Sequence, residues 1–142
     1  DDRKLKVCVH RKGATRALPA GHKDTPIGYK EVGQPVLVPG DMGRRSYIAV
    51  GTQKAMTETF GSTCHGAGRM LSRGAAKRSV QGRDVLQELE SRGITIKAGS
   101  LPSLAEEASQ AYKDVTEVMD VVHNTGISKK VAMAIPMGVI KG

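Results

Sequence analysis

Glycine and proline occur so often in the first third of this sequence that only short strands fit between them. Ten of these residues lie between positions 13 and 43. Glycine permits the backbone angles of tight turns, and proline removes a backbone donor that a continuous sheet needs. The β-branched or aromatic runs beside these turns predict strands at 5–9, 36–38 and 47–50.

The rest of the chain has mainly helical patterns around one glycine-rich loop. Three glycines in nine residues favour a loop at 60–68, and Ser103 with Glu106 has the spacing of a capping box, as Asp114 has with Glu117. In chain order the predicted elements are helices at 52–59, 69–78 and 83–92, a strand at 94–98, helices from Ser103 to about Tyr112 and from Asp114 to Gly126, and one or two strands over 130–141, broken near Pro136 and Gly138. Because strands and helices mix without strict alternation, we expect an α/β fold of the mixed α+β kind, as a single domain or domain fragment.

The charge of the chain favours a polyanion-binding protein, and its cysteine content argues against a disulfide-stabilised one. The 142 residues carry 22 Lys and Arg against 14 Asp and Glu, a net charge of +8, which favours polyanionic partners such as RNA, DNA or nucleotide phosphates. Two cysteines, Cys8 and Cys64, are too few for a disulfide framework, and no apolar run approaches the ~20 residues that span a bilayer. We therefore expect a cytoplasmic protein without membrane association.

Since the first residue is Asp1 and not Met, we expect a processed start or part of a longer chain.

The segment Cys64-His65-Gly66-Ala67-Gly68-Arg69 is the strongest candidate for chemistry. His65 lies in a loop whose small neighbours let a ligand approach the backbone, and successive N–H groups there could bind phosphate oxygens. Helical spacing predicts that Arg69 and Arg73 share one face beside this loop. Such an arrangement suits nucleotidyl or phosphoryl transfer, but a plain glycine turn with a surface histidine and two solvated arginines fits the composition slightly better. Cys64 beside His65 also suggests a cysteine nucleophile, but side chains at adjacent positions diverge and rarely form a nucleophile–base pair. We therefore predict that Cys64 is a small buried thiol.

Two further segments carry weaker signals. The turn at 39–46 could hold a base or ribose through backbone donors and Ser46, or it could simply join two strands. The basic segment at 9–16 could touch phosphates, or it could be a solvated strand edge. The histidines and cysteines follow no metal-binding spacing, so we predict no metal site within this chain. Lys141 ends an apolar strand and could therefore be fixed in place despite being penultimate.

Taken together, several segments resemble the C-terminal part of the RtcB family of GTP- and manganese-dependent RNA-splicing ligases. The resemblance runs in order across the whole chain, and its most specific parts are the His-Gly-Ala-Gly-Arg loop and the terminal Gly-Val-Ile-Lys-Gly. The matching stretches are VHRKGATRA at 9–17, GQPVLVPGDMG at 33–43, SYIAVG at 46–51, ETFGSTCHGAGRMLSR at 58–73, EEASQAYKDV at 106–115 and PMGVIKG at 136–142.

The resemblance implies an RtcB-like fold and a specific reaction. Enzymes of this family join an RNA 2′,3′-cyclic phosphate or 3′-phosphate end to a 5′-hydroxyl end, in tRNA splicing and RNA repair, through a covalent histidine–GMP intermediate. By motif, the nucleophile is His65, and Arg69 and Arg73 hold RNA or a phosphate. The implied GMP and GTP pocket consists of Pro39, Gly40, Asp41, Met42, Ser46, His65, Gly66, Ala67, Gly68, Tyr112 and Lys141.

The resemblance also sets expectations about what these residues lack. The family's Mn²⁺ ligands lie upstream, so residues 1–142 correspond to a C-terminal part whose N-terminal metal-binding part is absent, and we expect little turnover from the chain alone. Many members have Ser or Thr where this chain has Asp41, so the extra negative charge requires Arg44, Arg45 or a metal beside it. The expected partners are RNA (tRNA exon halves or broken RNA ends), GTP and an archease-like activator.

Two other functions remain open from the sequence. The chain could be a non-catalytic RNA-binding module that uses its basic residues Arg11, Lys12, Arg69, Arg73 and Lys77. It could also be an inactive fragment without a metal site, whose apolar surfaces make it self-associate.

Overall fold

Short strands and short helices follow one another irregularly along the chain, as the mixed sequence pattern predicts. The structure is a computed structural model, and it describes residues 5–142. In chain order the elements are β1 (Ala14–Arg16), a 3-10 turn (Ile27–Tyr29), β2 (Pro35–Pro39), β3 (Ser46–Gly51), α1 (Gln53–Thr59), β4 (Ser62–Cys64), α2 (Arg73–Ser79), α3 (Gly82–Ser91), β5 (Thr95–Ala98), α4 (Leu101–Glu106), a second 3-10 turn (Ser109–Ala111), α5 (Val115–Asn124), β6 (Ser128–Ala134) and β7 (Gly138–Lys141). The mixed α/β fold class is confirmed.

The largest sheet of the described residues is antiparallel, in the order β2-β3-β6. Leu37 lies opposite Ile48, which in turn lies opposite Ala132, and a register shift follows between Ile48 and Ala49. β1 pairs with β4 in antiparallel fashion, and β5 pairs with β7 in parallel. The predicted strands at 36–38, 47–50 and 94–98 are therefore confirmed, and the segment 130–141 does form two strands.

One face of the large sheet packs against α5 and forms the main core. Val115 and Met119 of α5 are fully buried, as their helical spacing predicts. A second core lies between α3 and α4, where Leu89 meets Leu104. The main core consists of Ala17, Val36, Val38, Tyr47, Ala49, Ala67, Val115 and Met119. Because Ala67 belongs to the glycine-rich loop, this core holds the loop against the sheet.

The opposite face of the large sheet is open. Leu37, Ile48 and Ala132 lie opposite one another on that face, and all three are exposed. An apolar patch of this kind usually marks a contact surface. Among residues 5–142, no helix is both long and apolar enough to cross a bilayer.

The prediction of a strand at 5–9 is wrong. These residues have no ladder partner among the described residues, and their apolar side chains are exposed. A strand needs a neighbouring backbone for its hydrogen bonds as well as β-branched residues. The first strand is instead β1, which finds its partner in β4, so the predicted loop at 60–68 also contains a short strand.

Two helices begin or end elsewhere than predicted. Ser100, not Ser103, caps α4 by accepting from the Ser103 backbone N–H, and α4 ends at Glu106, so it does not continue to Tyr112. The helix predicted from residue 69 begins at Arg73, because Arg69 lies instead in a β-bridge with Tyr112. Arg69 and Arg73 therefore do not share a helix face. The cap of α5 is as predicted, since Asp114 accepts a backbone N–H bond, and Thr52 caps α1 in the same way.

Candidate functional site

The loop that carries His65 is held by backbone hydrogen bonds on both sides. The His65 N–H donates to the Gly13 carbonyl (3.2 Å), and the Ala67 N–H donates to the Pro39 carbonyl (3.1 Å). The Lys113 N–H donates to the Gly68 carbonyl (3.0 Å). The His65 side chain itself is exposed. An accessible imidazole thus projects from a fixed backbone, as a nucleophile requires.

Small residues let this loop lie close to the 39–40 turn. A Cβ at Gly66 would lie 3.0 Å from the Pro39 carbonyl oxygen, and one at Gly40 would lie 2.1 Å from the Arg45 carbonyl oxygen. Gly68 has a φ of 76°, in the left-handed region that favours glycine. Gly40 and Gly66 thus lie where a Cβ would come too close to a carbonyl oxygen, and Gly68 has a backbone conformation that favours glycine.

Two adjoining cavities bring the predicted site residues together. One, of about 310 Å³, is lined by the His65 loop, and the other, of about 300 Å³, lies beside the C-terminal strand β7. Pro39, Gly40 and Tyr112 line both cavities. The first also contacts Gly13, His65, Gly66, Ala67 and Gly68, and the second also contacts Asp41, Met42, Ser46, Glu107, Val139, Ile140 and Lys141. Every residue that the family resemblance assigns to a GMP pocket thus lines one or the other of these two cavities.

Asp41 has the cationic partner that its charge requires. Its side chain is fully buried, and one carboxylate oxygen accepts from Arg44 Nε at 2.5 Å. The other oxygen accepts from the backbone N–H groups of Gly43 (3.0 Å) and Arg44 (3.1 Å) and from Ser109 Oγ (2.6 Å). The predicted pairing with Arg44 is confirmed. Both carboxylate oxygens are used to hold the 41–44 turn to the 109–113 segment.

Glu107 is the residue of this region that the sequence reasoning missed. Its side chain is only 13% exposed, and it accepts a hydrogen bond from the Tyr112 hydroxyl. Arg69 Nη1 lies 3.3 Å from one of its oxygens, and Arg73 Nε and Lys141 Nζ each lie 3.7 Å from the other. The sequence signal was weak, because a Glu at the end of a helix within a basic chain is usually a solvated surface residue.

Arg69 and Arg73 meet at Glu107, although they do not share a helix face. Arg69 donates to the carbonyls of Leu71 (3.0 Å) and Glu106 (2.5 Å) and to the Tyr112 hydroxyl (2.8 Å). Its guanidinium carbon also lies 4.6 Å from the centroid of the Tyr112 ring. Arg73, by contrast, has a side chain that is 68% exposed. Arg69 is therefore held within the protein, whereas Arg73 is accessible to an anionic ligand.

Burial and neighbouring charges shift the pKa of two side chains here. The pKa of the Tyr112 phenol is raised, first by burial and then by its hydrogen bond to Glu107. Burial also raises the pKa of the Cys64 thiol, whose Sγ lies 3.9 Å from Met119 Sδ. Tyr112 thus stays protonated and neutral near pH 7. Cys64 is half-buried, less buried than the sequence predicts, and its raised pKa is that of an unreactive thiol.

Other candidate segments contribute little to this region. Arg11 donates to Ser62 Oγ (2.8 Å) and to the Phe60 carbonyl (2.9 Å), so it holds the 9–16 segment to the protein. Cys8 Sγ and His10 Nε2 lie 3.3 Å apart on the surface. Within the described part of the chain, no three His, Cys, Asp or Glu side chains cluster closely enough to hold a metal ion.

Comparison with known proteins identifies a family and several relatives. The sequence model of the family described as tRNA-splicing ligase RtcB matches residues 1–142. Over all 142 residues the chain is 60% identical to the tRNA-splicing ligase RtcB of Archaeoglobus fulgidus and 58% identical to that of Thermococcus kodakarensis, and it spans 30% of the length of each. It is also 54% identical to the protein of the same name from Methanocaldococcus jannaschii, of which it spans 15%.

Proposed function

The chain belongs to the RtcB family, and on that basis we propose that it carries the histidine and nucleotide-binding part of a GTP-dependent RNA ligase. The complete enzyme would join an RNA 2′,3′-cyclic phosphate or 3′-phosphate end to a 5′-hydroxyl end. The observation that supports this proposal most directly is the exposed His65 beside a cavity built from small residues.

In the proposed first step, a neutral nitrogen of the His65 imidazole attacks the α-phosphorus of GTP. A nitrogen–phosphorus bond forms, the bond to the bridging oxygen breaks, pyrophosphate leaves, and the imidazole loses the single proton on its other ring nitrogen. An oxygen of the RNA 3′-phosphate then attacks the same phosphorus, the nitrogen–phosphorus bond breaks, and GMP passes to the RNA; a cyclic end would first be opened by water to the 3′-phosphate. The 5′-hydroxyl of the second RNA attacks the activated 3′-phosphorus and loses its proton, and GMP leaves. Because His65 is exposed on a loop fixed at Gly13 and Pro39, it can reach a phosphate without large loop movement.

Accessible cations at the edge of the second cavity suit the charge of these substrates. Arg73 is largely exposed and Lys141 lines the cavity. Both can approach a phosphate or the RNA 3′ end, although each also lies near Glu107. Arg69 would act indirectly, by holding Tyr112 in the wall of both cavities.

Mn²⁺ is proposed as the metal because of the family resemblance. When bound, it would supply positive charge to the phosphates. The described residues do not form a suitable ligand set for the metal. We propose that its ligands come from another part of the polypeptide. Cytoplasmic location and an archease-like activator remain predictions.

The test uses the full polypeptide that contains this chain. It is incubated with α-labelled GTP and Mn²⁺, separated on a denaturing gel, and treated with acid. We expect a labelled, acid-labile protein band that His65→Ala abolishes. His123→Ala is the matched control, because His123 is exposed at the end of α5, and it should keep the label. A labelled band that persists in His65→Ala would refute the proposal.

The alternative of a non-catalytic RNA-binding module is less well supported by the contacts of its basic residues. Arg11 and Arg69 donate to acceptors of the protein itself, and Lys77 Nζ lies 2.7 Å from a Glu106 oxygen. This alternative predicts salt-sensitive RNA binding without labelled protein. The inactive-fragment alternative rests on the open apolar face of the large sheet and predicts self-association, which light scattering would detect.

A further inference from the structure

We propose that Glu107 is the positioning residue of the second cavity: its carboxylate fixes Tyr112 and Lys141 in the cavity wall before a nucleotide binds. This inference rests on the proposed function and extends it to a residue outside the His65 loop. Glu107 directly follows α4 and lines the cavity beside Tyr112 and Lys141.

The carboxylate gathers groups that would otherwise stay apart. Arg69, Arg73 and Lys141 all lie within 3.7 Å of Glu107, measured between nitrogen and oxygen. Three like charges disfavour such a convergence unless an anion lies between them. One negative charge among three cations still leaves the cluster positive, so it can attract a phosphate while its geometry stays fixed.

Tyr112 is held by Glu107 and Arg69 together. Its hydroxyl donates to Glu107 and accepts from Arg69 Nη1, while the Arg69 guanidinium lies over the ring. These contacts fix both the tilt and the rotation of the ring. Because Tyr112 lines both cavities, its orientation determines the shape available to a ligand. A wall that is ordered in advance loses less side-chain entropy on binding.

Neighbouring Glu106 provides a matched control on the same helix end. Its carboxylate pairs with Lys77 and lines neither of the two cavities. Glu106→Gln and Glu107→Gln therefore remove the same charge, one residue apart, but only Glu107 lines the cavity and contacts Tyr112 and Lys141 directly. Gln keeps the size of Glu and can still accept a hydrogen bond, so both variants should fold.

Two measurements on the full polypeptide test the proposal. The first is calorimetric titration with GMP: Glu107→Gln should raise the dissociation constant about tenfold, the scale on which a charged hydrogen bond exceeds a neutral one, and Glu106→Gln should change it much less. The second is the ultraviolet titration of tyrosine, with Tyr112→Phe to assign the signal. Glu107→Gln should lower the pKa of the Tyr112 phenol, because it removes the negative charge beside the hydroxyl.

Each failure has a distinct meaning. Equal GMP affinity in the two Gln variants, or an unchanged Tyr112 titration in Glu107→Gln, would overturn the positioning role and leave the proposed function standing. If the unsubstituted protein did not bind GMP although the Tyr112 titration shifted as expected, the proposed function would fail, and with it this use of Glu107. Equal thermal unfolding midpoints in the two variants would show that a loss of GMP affinity does not arise from instability.

Discussion

Replacing Asp41 with Asn tests whether the buried ion pair with Arg44 stabilises the wall of the second cavity. The Asn oxygen can still accept from the backbone N–H groups of Gly43 and Arg44. The new amide NH₂, however, would face Arg44 Nε, which now donates to a carboxylate oxygen at 2.5 Å. Two donors would then face each other in a place where the Asp41 side chain is fully buried.

The size of the effect follows from what Arg44 retains. Removing one partner of a buried pair typically costs about 3–5 kcal/mol, and a single charged hydrogen bond contributes about 1.5–3 kcal/mol. Arg44 keeps the carbonyls of Ser109 (2.9 Å), Tyr112 (3.0 Å) and Lys113 (3.2 Å), and its side chain is 27% exposed. We therefore expect the free energy of unfolding to fall by about 2–3 kcal/mol. At roughly 3 °C per kcal/mol for a chain of this size, the melting temperature should drop by about 6–9 °C.

Asp114→Asn is the matched control. Asp114 also faces Arg44, but at 3.6 Å, and its side chain is 41% exposed. Asn caps a helix as well as Asp does, and exposed ion pairs contribute little, so the loss should stay below about 1 kcal/mol. Urea unfolding followed by circular dichroism, with an unchanged slope, gives both values. Equal losses for the two variants would refute the view that burial of the Asp41–Arg44 pair makes it important.

Two further predictions concern the same region. Gly40→Ala should lower the free energy of unfolding by about 2 kcal/mol or more, because the new Cβ would lie 2.1 Å from the Arg45 carbonyl oxygen. Gly28→Ala is the control, since a Cβ there would meet nothing within 4 Å, and it should be close to neutral in the same urea assay. Similar losses for the two variants would contradict the argument from close approach. The pKa of Asp114 is lowered, mainly by the backbone N–H of Thr116. Its contribution to stability is therefore present above the unfolded pKa of about 4 and is lost as the pH falls through the lower folded value. The stability difference between the unsubstituted protein and Asp114→Asn should shrink over that acidic range, and a constant difference would contradict the assignment.

Much of the local structure could be read from the sequence, because it depends on neighbouring residues. Glycine and proline determine where the strands at 35–39 and 46–51 can lie, and Thr52 and Asp114 begin helices by capping the first turn. The spacing of Val115 and Met119 predicted the buried face of α5. These features need only a few residues of chain, so they were predicted without knowledge of distant contacts.

The errors arose where a distant segment decides the local structure. The segment 62–64 becomes a strand because β1 supplies its hydrogen bonds, and the apolar run at 5–9 finds no such partner among the described residues. Arg69 stays outside α2 because it bridges to Tyr112, 43 residues away. Local propensity is a weak signal when such a long-range pairing competes with it.

The candidate site shows the same division. The sequence by itself determined which small residues surround His65. Through family resemblance it also predicted that the 39–46 turn, Tyr112 and Lys141 belong to the nucleotide pocket. Only the tertiary structure placed these segments around adjoining cavities and brought Glu107 among Arg69, Arg73 and Lys141. The physical reason is that a carboxylate finds its cationic partners through space. Which cations it meets depends on how α4, α2 and β7 pack, and residue spacing along the chain does not encode that packing directly.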